Sequence, residues 1–499
     1  MGMEMLYLTM PLKIKWKVAI VVQQDGNHAW EYADLELALL AQPRFENVEY
    51  RLFYYDELSQ TASVKELWAN PGGAVLQTVE PAAKVHIYDL KALTDYFSSV
   101  FKPEPGIVSR YMVIVWAHGT GLGYVGNISF DANAPDYFEG MDLLGSESVV
   151  KEKMPQYNQA LKHFVFLRSH LSMKAHPMEL MEEFLHQDKI RLSANDMTVL
   201  DGRLRIITAG QLNSIFQRAL PDRKKIDVLI TNTCYTQMLE TGYALKDSVS
   251  MLISPETTIP FNGFNYNALF RNMEKRPELD LKEIALNVRN NFTKKYTTEP
   301  FKSTFRIMRP YPYSLMDEVS FSANLLEPYQ EFMDSFFIDL ARKFWQAVDP
   351  QRPDEALKAQ ILAARNRCVG VAPANSSDYS IVDFTHFFEG FVGGCQKARI
   401  TGWEEPLARY AALTGKIRMA WYPATGRAQY SERQPSRSPH YLSIFFPDGV
   451  TSSHMNHYLA AVYLKKSTAQ AFPIKKTKWP DFVDRMINFW INLRLSNGK

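Results

Sequence analysis

The chain has 499 residues, of which 46% are hydrophobic and 22% charged, and a formal net charge of +2. That length suits one large domain with additions, or two or three domains, with enough core to fold without disulfides or metals. The small net charge gives no field for nucleic acid or an acidic membrane surface, and only three cysteines (Cys234, Cys368 and Cys395) exclude a disulfide framework.

The opening residues form a short apolar run broken by Pro11, and Lys13, Lys15 and Lys17 follow it. A signal peptide has the reverse order. No stretch approaches the length of a membrane span. The expectation is a cytoplasmic protein by default, with no membrane role; secretion by another route stays open.

Six short apolar runs then read as buried strands: Val18–Val22, Val48–Tyr54, Tyr111–Ala117, Ile226–Thr231, Val249–Ile253 and Leu442–Phe446. Most lack polar alternation, as strands covered on both faces do. Helical patterns lie between them, at Glu31–Leu40, Leu90–Phe101 and Tyr235–Lys246. This alternation predicts an α/β fold with a mostly parallel central sheet and helices on both faces.

An insertion of about 137–205 interrupts the order, with helical stretches at Gln156–Leu171 and Pro177–His186. Residues 1–320 read as one domain carrying that insertion. Residues 321–499 read as a helix-rich C-terminal region, with helices at Glu327–Val348, Asp354–Asn366, Ser380–Phe391 and Lys478–Leu495. Pro423–Pro439 reads as a loop.

Two strand ends carry candidate chemistry. One strand runs into His118-Gly119-Thr120-Gly121 and another into Asn232-Thr233-Cys234. Ligands of open parallel sheets bind beyond the carboxyl ends of the strands. If these two strands are neighbours, an imidazole and a thiol share one rim. The imidazole can lower the thiol pKa or protonate a leaving amine. A helix opening at Cys234 would favour negative sulfur. The backbone N–H groups of Gly119 and Cys234 could form an oxyanion hole.

Each part alone is weak, since a free cysteine is most often a small buried hydrophobe. The glycines after His118 precede no helix, so a dinucleotide loop does not fit. The GxSxG elbow of α/β-hydrolases is absent. Neither Cys368 nor Cys395 has a context that makes it a resolving cysteine. No Cys/His spacing suggests a metal centre.

Taken together the motifs resemble the clostripain family of cysteine peptidases, in the clan of caspases, legumains and gingipains. Trp16–Asp25 is similar to the family's opening strand, Tyr111–Gly121 to its strand and His-Gly, and Ile226–Glu240 to its strand, cysteine and helix. Ser254-Pro255-Glu256, with Gly263 and Tyr266, resembles the Ser-Glu segment and Gly-aromatic turn, and Tyr441–Pro447 a late strand.

The resemblance implies a caspase-like three-layer sandwich and endopeptidase activity on peptide or protein substrates. His118 and Cys234 would be catalytic, Gly119 and Cys234 the oxyanion donors, and Asn232, Asn262, Ser254 and Glu256 substrate-binding. It also favours return of the 442–446 strand to the central sheet. Self-cleavage would fall in the insertion, near Lys151, Lys153, Lys162, Arg168 or Lys174. No cofactor is implied for catalysis; calcium aids some members, but no acidic loop of EF-hand spacing is present.

Family members that cut after Arg or Lys carry Asp where this chain has Asn232, and again where it has Asn262. An amide cannot supply the charge that a buried guanidinium needs. Weak selectivity for Arg or Lys is therefore expected. The competing reading is an inactive homologue that binds peptides or proteins without cutting them.

Overall fold

The structure is a computed structural model that describes residues 13–24, 45–56, 61–70, 73–83, 90–119, 123–125, 206–256, 259, 263–297, 320–368, 381–422, 442–446, 473–486 and 489. The expected helices at 31–40, 156–171 and 177–186, the loop at 423–439 and the lysines and arginine of the insertion lie outside these residues.

Among the described residues, a nine-stranded sheet forms the centre. Its strands are β1 (Lys13–Gln24), β2 (Val48–Asp56), β3 (Thr61–Asn70), β4 (Gly73–Ala83), β5 (Ile107–Trp116), β9 (Ile226–Asn232), β10 (Val249–Pro255), β11 (Phe321–Leu325) and β13 (Arg418–Tyr422). Their order across the sheet is β13-β11-β10-β9-β5-β1-β2-β3-β4. The five strands from β10 to β2 are mutually parallel. β3 and β11 reverse on either side, and β4 and β13 reverse again at the edges.

The parallel strands are apolar on both sides because both sides are covered. In β5, Val113 and Val115 join the core packed by α1 (Leu90–Val100) and α2 (Ala209–Ala219). Met112, Ile114 and Trp116 join the opposite core, packed by α4 (Tyr266–Lys275) and α5 (Leu281–Thr297). The two-residue period of a strand thus sorts one apolar run into two cores. This is the α/β sandwich expected from the sequence, with helices on both faces.

The C-terminal helices extend the first core. They include α6 (Pro328–Phe332), which continues through a π turn into α7 (Ile338–Ala347), then α8 (Glu355–Arg367), α9 (Phe384–Lys397) and α10 (Glu404–Ile417). Phe337, Phe344, Phe384, Phe446 and Trp479 meet there ring against ring.

Among the described residues, two small sheets accompany the central one. β6 (His118–Gly119), β7 (Gly123–Val125) and β8 (Ile206–Thr208) form one, antiparallel throughout. β12 (Ile381–Asp383) and β14 (Ser443–Phe445) form the other. The 442–446 strand therefore does not return to the central sheet. The free edge of β10 is taken by β11, and that of β11 by β13, so β14 pairs with β12 instead.

Candidate active site

β5 and β9 are neighbours, and their last paired residues are Trp116 and Asn232. His118 and Cys234 each stand two residues beyond that pair, at the carboxyl rim of the sheet. The backbone of His118 and Gly119 turns into β6, where His118 pairs with Val125 and Gly119 with Tyr124. Cys234 is half-buried and packs at the margin of both hydrophobic cores.

The expected helix opening at Cys234 is not there. α3 spans Leu239–Leu245, with Met238 before it. Residues 234–238 cannot be helical because their backbone is committed elsewhere. Tyr235 has φ of 61°, the left-handed region. The Gln237 N–H donates to the Pro255 carbonyl at 2.8 Å. The Gln237 carbonyl accepts from the Ser443 N–H at 3.1 Å and from the Ser443 hydroxyl at 2.8 Å. Cys234 therefore sits in a tight turn, without a helix dipole behind it.

Four buried hydroxyls underlie that turn. Thr236 lies 2.8 Å from Thr231, 2.7 Å from Ser254 and 2.9 Å from Thr233, measured between side-chain oxygens. Thr231 and Ser254 are 2.6 Å apart. Thr231, Thr233 and Thr236 flank the cysteine in the sequence, a visible signal of this cluster that sequence reasoning missed.

From the far side, the β12–β14 ribbon braces the same segment. Met238 bridges to Ser443, and the Phe445 N–H donates to the Glu240 carboxylate at 3.0 Å. Glu240 is buried at the start of α3, so the glutamate that follows the cysteine has a structural task.

Asn232 is buried, with its side chain against the backbone of Gly263. Gly263 has φ of 55°, and a Cβ built there would fall 2.1 Å from Asn232 Oδ1. Asn262, the residue before it, lies outside the described residues. Tyr266 opens α4 nearby, its ring 5.4 Å from that of Trp116. The Gly-aromatic turn thus adjoins the strand ends that carry Asn232 and His118.

Ser254 and Glu256, expected to bind substrate, lie beneath the surface. Both side chains are wholly buried. Ser254 is spent in the hydroxyl cluster. Burial first, then the neighbouring Asp383 carboxylate, pushes Glu256 well above the usual carboxylate range, while Ser320 and the Leu442 backbone pull the other way. Among the described residues, no three His, Cys, Asp or Glu side chains gather to hold a metal, and no helix is long and apolar enough to cross a membrane.

A caspase-like α/β sandwich with a cysteine turn and a His-Gly strand at one rim is the class these features define. Residues 202–347 match the model of the clostripain family, which bears out the resemblance read from the sequence over that segment. The match takes in Cys234 and its turn, and His118 lies before it. Two solved structures have the same fold. One is an inactive zymogen C11 protease from Parabacteroides distasonis, with a TM-score of 0.53 at 13% identity, covering 93% of this chain and 99% of that one. The other is a secreted C11 cysteine protease from Bacteroides thetaiotaomicron, with a TM-score of 0.51 at 11% identity, covering 95% of this chain and 100% of that one. No curated protein matches the chain.

Proposed function

We propose that the chain is a cysteine endopeptidase in which Cys234 is the nucleophile and His118 its proton-handling partner. The observation that carries this reading is the pairing of Trp116 with Asn232, which sets both residues at the same step beyond neighbouring parallel strands. The clostripain-family match across Cys234 supports it.

The chemistry follows from the parts. The Cys234 thiolate adds to the carbonyl carbon of the scissile bond. The resulting oxyanion is held by the backbone N–H groups of Gly119 and Cys234. Collapse of the adduct expels the amine, which takes a proton from the His118 imidazolium, leaving an acyl-thioester. A water molecule, deprotonated by His118, then attacks the thioester and releases the acid with the free thiol. The proposed steps draw on no cofactor.

Asn232, buried against Gly263, and Asn262, which precedes Gly263 in the sequence, would line the pocket for the residue before the scissile bond. A pocket of amides suits a neutral polar side chain better than a guanidinium.

The test is a cysteine-directed acyloxymethyl ketone offered with Arg, Lys, Asn, Gln or Asp at that position. Rapid labelling of Cys234, with Asn or Gln ahead of Arg, supports the whole reading. Labelling led by Arg overturns the pocket assignment, and failure of every probe to label Cys234 overturns the peptidase.

A further inference from the structure

We propose that Thr236 is the positioning residue for Cys234, holding the nucleophile's turn through a closed cluster of hydroxyls. The inference rests on the reading of Cys234 as nucleophile.

The turn has four residues, Thr233 to Thr236, with Cys234 and Tyr235 as its corners. Thr236 grips the far end of the turn twice: its hydroxyl lies 2.9 Å from the Thr233 hydroxyl and donates to the Thr233 carbonyl at 3.0 Å. The same oxygen reaches both strands beneath, Thr231 on β9 and Ser254 on β10. Thr236 thus ties the turn to β9 and β10 through one atom.

The cluster is closed. All four hydroxyl side chains are at most 1% exposed. Each supplies one proton and two acceptor sites. Thr231, Thr236 and Ser254 make a triangle, and Thr233 joins it at Thr236. Five contacts, four between hydroxyls and one to the Thr233 carbonyl, share the four protons of the cluster. Valine at Thr236 would remove four of the five contacts and keep the shape of the side chain.

What the cluster holds is strained. Tyr235 takes φ of 61°, a conformation that residues with a Cβ rarely adopt. Its ring is buried in the core, so the side chain cannot simply follow a relaxed backbone. Without the grip on the Thr233 carbonyl, the Thr233–Cys234 peptide is free to rotate, moving the Cys234 N–H and shifting Sγ with the backbone that carries it. A nucleophile displaced by about 1 Å can lose on the order of a hundredfold in rate.

The experiment compares Thr236→Val and Thr236→Ser with wild type at a temperature where all three are folded. It measures peptide hydrolysis as separate kcat and KM, and the alkylation rate of Cys234 by iodoacetamide from pH 5 to 10. The expected result is a fall in kcat of at least ~10-fold for Thr236→Val with KM within ~3-fold, a changed alkylation profile, and recovery to within ~3-fold in Thr236→Ser. A Thr236→Val protein that melts earlier but keeps wild-type kcat and alkylation overturns the inference. If wild type cleaves nothing, the peptidase reading fails by itself, and the alkylation comparison decides the positioning role: a changed profile in Thr236→Val upholds it, an unchanged one ends it. If Thr236→Val does not fold, Thr233→Val removes one of the two grips on the turn and leaves the donation to the Thr233 carbonyl and the triangle in place. A smaller loss in the same direction is then expected, and wild-type behaviour overturns the inference.

Discussion

Gly263 and Asn232 are in such close contact that no other residue fits at position 263. A Cβ there would meet the Asn232 amide at 2.1 Å for Oδ1 and 2.5 Å for the amide carbon, and the backbone φ of 55° disfavours any side chain. Gly263→Ala should therefore cost roughly 2–4 kcal/mol, from left-handed strain and overpacking together. Urea unfolding of the variant measures it. A loss below about 0.5 kcal/mol would mean that Asn232 can move aside, and that the contact does not shape the pocket.

Restoring charge at the same place should change substrate choice. The double variant Asn232→Asp with Asn262→Asp is expected to raise the ratio of kcat/KM for Arg over Gln peptides by at least ~10-fold, about 1.4 kcal/mol of differential binding. Matched fluorogenic peptides check this. An unchanged ratio would remove Asn232 and Asn262 from the pocket.

Glu256 makes stability depend on pH in a definite direction. Its proton is held more tightly in the folded chain than in the unfolded one, because burial and the Asp383 carboxylate both oppose its charge. Stability from this group is full below the unfolded carboxyl range and declines as pH rises toward the folded value, by up to ~1.4 kcal/mol per pH unit. Glu256→Gln mimics the protonated form. Its Tm should fall less than that of wild type between pH 5 and pH 8. Parallel curves would show that Glu256 ionises without penalty.

A chain cut between residues 126 and 205, by itself or by an added protease, should stay in one piece without denaturant. The segment leaves from Val125 and returns at Ile206, and those residues pair directly. Beyond them, β5 and β9 pair along five residues in the middle of the sheet. Native gel filtration should give one species that a denaturing gel resolves into two fragments. Separation without denaturant would contradict the pairing.

The parallel centre was legible because strands such as Tyr111–Ala117 and Ile226–Thr231 are apolar on both faces. The antiparallel additions were not. β3 and β4 mix polar pairs (Lys65 with Thr78, Glu66 with Gln77) with apolar ones (Leu67 with Leu76, Trp68 with Val75), so no long apolar run marks them. β11 carries Ser322 and Asn324 as buried residues, so its five positions do not read as a strand. At the candidate site, the spacing of His118 and Cys234 from their strands was readable. The start of α3 was not, because tertiary hydrogen bonds to Pro255 and Ser443 consume the Gln237 backbone that would otherwise begin a helix. The burial of Ser254 and Glu256 was not readable, because a polar residue at a strand end gives no sign of which layer closes over it.

The most direct test of the central claim is mass analysis of a mixed peptide library after incubation with wild type, Cys234→Ala and His118→Ala. The account predicts cleavage by wild type and a loss of at least ~1,000-fold in both variants, a magnitude typical of removing a nucleophile or its acid–base partner. Cleavage retained by Cys234→Ala, or none by a folded and mature wild-type chain, would contradict it.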